Sequence, residues 1–455
     1  MTIRKILCAG ACVAALAGMA VPTVSDVVVQ PRWPWSTKVD VHFVLSGVTG
    51  PVEAVCTFKN DGVALNAPAA SLSGDLADLQ NGAYTITWDP VAAGYGTEKK
   101  LSALTAEIST VATKLYMIVD LKSSLADTAE ARVSYTNEVI GANGRWDDYY
   151  KTNCVVFRRI KAGSFTMGAK TSESNRGVET GFRRQVTLTK DFYIGVFEIP
   201  QAVYKMFKSH NWPYPYKSGE EFIVEPDFRP VSRVGYEHLR GDNWSCTNTL
   251  AEAREVSTTY WIGLFRETVG GSLQFDLPTE AQWEYACRAG TDASYYNGKN
   301  VSMDVTHDAN LDSIARYRYN GGYLDNGATA PSLSTATTAN GTAKIGSYEP
   351  NAWGLYDMLG NVEEWVLDWA ATATTSDLFD EAKSQTVDPR GPRQSNDMTN
   401  KMRVTKGGSW NLAAGCTTSK ISGCYCGGRS IRKSGTAARN EQYAGFRLCL
   451  TPNEY

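Results

Sequence analysis

Histidine is scarce in this chain: His42, His210, His238 and His307 are the only four in 455 residues. A facial non-haem iron site draws on two or three histidines. No H-x3-H or H-x-E spacing is present, so that chemistry is excluded. An excess of positive charge is also absent. Lys and Arg number 45 against 48 Asp and Glu, a formal net charge of −3, which gives no electrostatic footprint for nucleic acid. Long apolar runs are missing except for Ile6–Met19, which is short for a bilayer crossing of roughly 20 residues. No membrane span is expected beyond that run. Zinc-finger spacing is lacking too: Cys416, Cys424 and Cys426 follow one another with seven and then one intervening residue and no nearby histidine.

What the chain does have is glycine and tryptophan, 40 and 12 residues, which points to a turn-rich, aromatic-cored fold rather than a helical bundle. Its length suggests two or three domains. Residues 1–20 read as a secretory signal peptide: Arg4 and Lys5 are basic, Ile6–Met19 is apolar, and Gly18 and Ala20 are small at −3 and −1. Cleavage is expected after Ala20, giving a protein exported to a periplasm, a cell surface or the medium. Such a protein meets an oxidising compartment. Loss of Cys8 and Cys12 would leave eight cysteines, Cys56, Cys154, Cys246, Cys287, Cys416, Cys424, Cys426 and Cys449, an even number that permits full pairing without fixing connectivity.

Residues 25–145 read as an all-β, immunoglobulin-like sandwich. Lys38–Leu45 and Ala83–Trp88 alternate, Ala103–Ser109 and the apolar run Leu115–Leu121 are further strand candidates, and Asn60-Asp61-Gly62 and Asn81-Gly82 are turn signals. His42 is a lone histidine in a strand, suited to decorating a face. Gly141–Tyr150 reads as the linker. From there the pattern changes. Cys154–Ile160 reads as a strand, Gly163–Gly168 (GSFTMG) as a turn, Val186–Phe197 as a strand pair, and Ala202–Ser209 and Thr279–Ala289 as helices. Pro278, Thr279 and Gly290 punctuate the second helix, and Glu280 and Glu284 are expected on its dipole and its solvated face. Between Ala289 and Asn351 no helical pattern is found.

The stretch Asn351–Trp369 (NAWGLYDMLGNVEEWVLDW) concentrates the most information. Asn351, Gly354, Gly360 and Asn361 punctuate two turns. Trp353, Tyr356, Trp365 and Trp369 can each bury roughly 150–250 Å². Asp357, Glu363, Glu364 and Asp368 sit among them. Carboxylates so close to buried indoles must be solvated, paired or on a cation, and with carbonyls freed by the glycine turn a calcium ion suits them. Alternatively, Asp357 and Glu364 only cap turns.

Together with Leu277–Thr291 (LPTEAQWEYACRAGT), Lys406–Trp410 (KGGSW), Gly445–Leu448 (GFRL), GSFTMG and Val186–Glu198, this stretch resembles the formylglycine-generating-enzyme, or sulfatase-modifying-factor, family. The likeness runs over about residues 152–455. It implies an α+β, C-type-lectin-like domain of low regular content. It also implies a disulfide from Cys287 to Cys424 or Cys426. Formylglycine-generating members oxidise a sulfatase cysteine with O₂, using two thiolates that hold Cu(I), a soft ion suited to sulfur. The matching places, two and seven residues after Trp410, hold Leu412 and Thr417. Cys416 misses the second place by one residue, so copper is not expected. The family's structural calcium site maps onto Asp357, Gly360, Val362 and Glu364. A second involves Asn310 and Leu311, with Asp325 nearby.

Two functions follow. One is a calcium-stapled exported binding module for another exported protein or a glycan. There the loop Asn411–Ser434 lines the site, with Trp410, Tyr425, Arg429 and Arg432 as contacts, since arginine and aromatic residues are usual anchors. The other is a formylglycine-generating oxidase, with Cys416 as the residue that would serve it.

Overall fold

The computed structural model describes residues 22–48, 52–67, 71–76, 79–95, 101, 103–112, 114–122, 132–170, 183–207, 226–241, 256–271, 273–301, 307–320, 341–371, 377–393, 401–412, 414, 423–433 and 443–451. The expected leader, Cys246, Cys416, Thr417 and Asp325 lie outside them. The chain divides into two compact units, residues 1–114 and 115–455.

The first unit is built of strands: β1 (Thr23–Pro31), β2 (Val39–Ser46), β3 (Val52–Asn60), β4 (Val63–Ala64), β5 (Leu72–Gly74), β6 (Gly82–Trp88) and β7 (Leu104–Ala112). They form two sheets, in the order β1-β2-β6-β5 and β4-β3-β7. The alternation of β2 places Val39, Val41, Phe43 and Leu45 inward, as a strand with one wet face requires. These side chains meet Phe58 of β3 and Trp88 of β6, whose rings stack at 4.4 Å. The Asp61-Gly62 turn joins β3 to β4 with both residues at positive φ, 52° and 79°. His42 bonds Thr85 Oγ1 across the β2–β6 ladder at 2.8 Å, a half-buried cross-strand pair.

The second unit mixes strands with short helices. Its strands are β8 (Tyr116–Asp120), β9 (Val133–Thr136), β10 (Cys154–Ile160), β11 (Gly163–Met167), β12 (Arg184–Leu188), β13 (Phe192–Gly195), β14 (Glu363–Trp369), β15 (Met402–Lys406), β16 (Arg429–Lys433), β17 (Ala444–Gly445) and β18 (Cys449–Leu450). Its helices are α1 (Asp148–Thr152), α2 (Gln201–Met206), α3 (Tyr236–Arg240), α4 (Trp261–Thr268), α5 (Glu280–Arg288) and α6 (Asp377–Ser384). Three sheets result: β18-β13-β10-β8-β9, β11-β12, and β16-β15-β14-β17.

Three sequence expectations are corrected. Leu115–Leu121 does not belong to the first unit, because β8 pairs with β10 (Val119 opposite Val155) and both its faces are buried. A run without alternation needs two dry faces, and this sheet supplies them. The division therefore falls at Lys114/Leu115 rather than at 145–152, and Gly141–Tyr150 is no free linker: Trp146 is buried with its ring 5.1 Å from Tyr116. Of GSFTMG, Gly163–Met167 forms strand β11, and Gly168 follows it at φ 98°. Val186–Phe197 does hold two strands, but they do not pair with each other: β12 pairs with β11 and β13 with β10 and β18.

Helix α5 follows its punctuation. Thr279 Oγ1 accepts from the Gln282 amide and Gln282 Oε1 from the Thr279 amide, a capping box. Ala289 closes the helix in the left-handed region at φ 44°. Trp283, Ala286 and Cys287 are fully buried on its inner side.

Candidate functional site

The segment Asn351–Trp369 is fastened to α5 and to the glycine turns around it. The Asn351 side-chain amide donates to the Ala286 and Cys287 carbonyls, while its oxygen accepts from the Trp353 and Leu355 amides. At Gly360, φ is 76° and an added Cβ would lie 2.1 Å from the Arg316 carbonyl oxygen, so only glycine fits. Asn361, at φ 57°, donates from its backbone to the Arg316 carbonyl and from its side chain to Glu198 Oε2 at 2.6 Å. Its carbonyl accepts from the Trp410 amide.

Three carboxylates gather beneath this turn. Glu364 accepts from Trp283 Nε1 at 2.7 Å and from Arg447 Nε and Nη2 at 2.6 Å each. Glu198 accepts from the Val362 amide at 3.0 Å. Asp357, at φ 55°, accepts from the Gly346 amide through Oδ2 at 2.6 Å, while its buried Oδ1 has no hydrogen-bond partner. Among the described residues Arg447 is the one guanidinium hydrogen-bonded to this group, fully buried and also bonded to the Gly195 and Tyr356 carbonyls. Burial, then the negative charges of Asp357 and Glu364, push the Glu198 carboxyl well up. Burial likewise raises Asp357 to about 6.

An unpartnered carboxylate oxygen in a buried, acid-rich cluster fits a hard cation. Among the described residues no three His, Cys, Asp or Glu side chains are grouped as a metal site. A calcium ion here would therefore rest on Asp357 with the Gly360 and Val362 carbonyls. Glu364 is committed to Arg447 and Trp283, so its share is smaller than the sequence expectation gave it. At the second expected site, the Asn310 carbonyl accepts from Asn297 Nδ2 at 2.8 Å and its amide donates to Asp308.

A second buried ionic cluster lies along α5. Glu284 accepts from the Gly168 amide at 2.7 Å, from Arg288 Nε at 2.9 Å and from Lys406 Nζ at 3.0 Å. Glu280 pairs with Arg429 at 3.0 Å and Lys406 at 3.5 Å. Burial works to raise Glu284, but the Lys406 and Arg288 cations outweigh it and hold the carboxyl at about 2. Asp368 accepts from the Glu280 amide, and burial with the neighbouring Glu280 charge lifts it to about 7. The expected solvated face of α5 is thus wrong: Glu280 and Glu284 are buried.

The same cluster corrects the proposed contact residues. Arg429 is buried against Glu280, and Arg432 is drawn onto Glu363 at 2.7 Å. Tyr425 is buried in the core and Trp410 is 8% exposed, with Tyr443 edge-on at 5.5 Å. Arginine and aromatic residues mark a buried ion pair in an aromatic core as readily as a binding surface. Glu198 and Arg447 were missed as site residues, although both stand inside the quoted family motifs.

At the place of the family's copper ligands, Leu412 packs against the core, with its carbonyl accepting from the Arg318 amide at 2.8 Å. Cys424 is a buried free thiol that burial pushes up to about 12. Cys287 and Cys426 are free thiols with sulfurs 3.5 Å apart, both fully buried. Burial first, and Cys426 second, push Cys287 well up. All three thiols are enclosed in the core, while Cys416 lies outside the described residues. Elsewhere in the second unit, the half-buried His307 stacks on Tyr319 at 3.9 Å and bonds Asp312 at 3.0 Å.

Comparison with known proteins agrees with these motifs. Residues 151–452 match the family model described as "Sulfatase-modifying factor enzyme 1-like domain". The formylglycine-generating enzyme of Mus musculus is 27% identical over 311 residues, 63% of this chain and 73% of that protein. That of Thermomonospora curvata is 34% identical over 180 residues, 39% and 49% of the two chains. Chaperone protein LppX of Paenibacillus barcinonensis is 28% identical over 272 residues, 55% and 77%. Among solved structures, PvdO from Pseudomonas aeruginosa superposes with a TM-score of 0.44 at 19% identity, covering 66% of this chain and 95% of that one. With its strand-rich α+β unit and two-thirds of its length matched, the chain belongs to the sulfatase-modifying factor enzyme 1-like family.

Proposed function

We propose that the chain is an exported, calcium-stapled binding member of its family, of C-type-lectin-like architecture, and not a formylglycine-generating oxidase. The observation that carries this reading is Leu412: an aliphatic side chain, packed on the core, stands where the family's chemistry needs a sulfur donor, and leucine binds no copper. The acid-rich cluster with its orphaned Asp357 Oδ1 supports calcium. The half-exposed His307–Tyr319 stack supports a polar–aromatic binding rim, in place of the buried Trp410, Tyr425 and Arg429 and of Arg432, which is committed to Glu363. A relative named as a chaperone supports another exported protein as the partner, with a glycan as the other class.

Elemental analysis and thiol counting on purified protein test this, alongside copper loading and incubation with a cysteine-containing sulfatase peptide. Calcium and no aldehyde formation are expected. Copper held by two free thiols, with a peptide that loses one sulfur and gains an aldehyde, would replace the reading by an oxidase.

A further inference from the structure

The loop between β1 and β2 carries two tryptophans in the open. Trp33 is 71% exposed and Trp35 90%, whereas Trp88 in the same unit is fully buried. Residues Pro31 to Trp35 (PRWPW) form an unbroken exposed run beyond the last rung of the ladder, Pro31 opposite Val39. Leaving that much apolar area in water costs about 25 cal/mol per Å², and clustered exposure of this kind marks an interaction site.

The loop is held in shape, not slack. The Arg32 amide donates to the Lys38 carbonyl at 2.9 Å, and the Arg32 carbonyl accepts from Trp35 and Ser36 at 3.0 and 3.3 Å. The Arg32 guanidinium grips Asp40 through two bonds of 2.8 Å, and Thr87 Oγ1 donates to the same carboxylate at 2.7 Å. Ser36 Oγ accepts from the Lys38 amide, and Lys38 Nζ lies 3.8 Å from Asp89. The polar groups at the base are turned toward one another, so the indoles and prolines are what the tip offers outward.

We propose that this tip docks on the surface of a lipid bilayer, seating Trp33 and Trp35 at the headgroup–acyl boundary of a zwitterionic leaflet. An indole has an apolar body and one N–H donor, the combination that settles at that boundary. A convex tip enters lipid without needing a matching cavity. A sugar stacked on indole would need hydrogen-bonding groups beside it, and here those groups bond to each other. Arg32 and Lys38 are offset by Asp40 and Asp89, so acidic lipid gains no special hold. Two neighbouring indoles add their burial in the interface, beyond the marginal, reversible hold of a single anchor.

The test is sedimentation of the chain, freed of residues 1–20 so that the apolar leader cannot partition, with phosphatidylcholine vesicles. Co-sedimentation and quenching of indole fluorescence by brominated lipid are expected. Trp33→Ser with Trp35→Ser should lower partitioning at least about tenfold and abolish the quenching, with an unchanged thermal melt. Adding phosphatidylserine should change binding less than about twofold. Absence of vesicle binding by the folded wild type at millimolar lipid, or full binding by the folded double variant, would overturn the proposal. So would glycan binding or self-association lost in the variant without any vesicle binding; these would give the tip to a sugar or to a second copy.

Discussion

Two buried ionic clusters share Trp283, and they are matched differently. On its ring face lies Lys406, 5.7 Å from the ring centre, in the cluster where Glu280, Glu284 and Asp368 meet Arg288, Lys406 and Arg429. On its N–H lies Glu364, in the cluster where Glu198, Asp357 and Glu364 meet Arg447. Burying charge is tolerated when partners and hydrogen bonds compensate it. The first cluster is balanced by side chains; the second is short of positive charge, and that shortage is the physical case for a bound cation.

The comparison breaks most sharply at Arg447. Arg447→Met leaves three buried carboxylates without their guanidinium and should cost about 5 kcal/mol or prevent folding. Denaturant unfolding measures it, and added calcium should recover part of the loss if the cluster holds that ion. In the balanced cluster, Glu284→Gln strands Arg288 and Lys406 and should cost about 3–5 kcal/mol, with no recovery by calcium.

The pH dependence separates individual carboxylates, since Asp368 in the balanced cluster is raised to about 7 and destabilises the fold with rising pH as Asp357 does. Asp357 is raised to about 6 when folded, so the metal-free fold loses stability as pH climbs from the ordinary aspartate range through 6. The loss should be on the order of 3 kcal/mol. Glu284, held at about 2, acts in the opposite sense: its contribution is present above the ordinary glutamate range and disappears as pH falls through 2. Asp357→Asn should reduce the rise-of-pH loss to the part carried by Asp368, raised to about 7, and remove any calcium-induced increase in Tm. Saturating calcium at about 100 times Kd should add about 2.7 kcal/mol to the native protein. The smallest effect is expected away from both clusters, where Thr279→Ala removes the α5 cap and should cost about 1 kcal/mol.

Elements fixed by local pattern were legible in the sequence. The alternation of β2 and the punctuation of α5 are written in neighbouring residues. The family motifs likewise located the second unit. What stayed hidden depends on partners far along the chain. Glu280 and Glu284 look like a wet helix face until Arg429 and Lys406, 149 and 122 residues away, are brought beside them. Glu198 lies 164 residues before the Val362 amide it accepts. Leu115–Leu121 carried a readable sign, the lack of alternation, which speaks against a strand with one wet face.

Strand β8 has a consequence for cutting the protein. It runs along β10 with Asp120 opposite Cys154, and all of β8, Tyr116–Asp120, lies upstream of the residues 151–452 that the family model spans. A fragment trimmed to that span would strip one flank of β10 and bare a row of unpaired amides and carbonyls. Such a flank is a template for neighbouring molecules, so the trimmed piece should clump where a piece beginning at Leu115 stays dispersed.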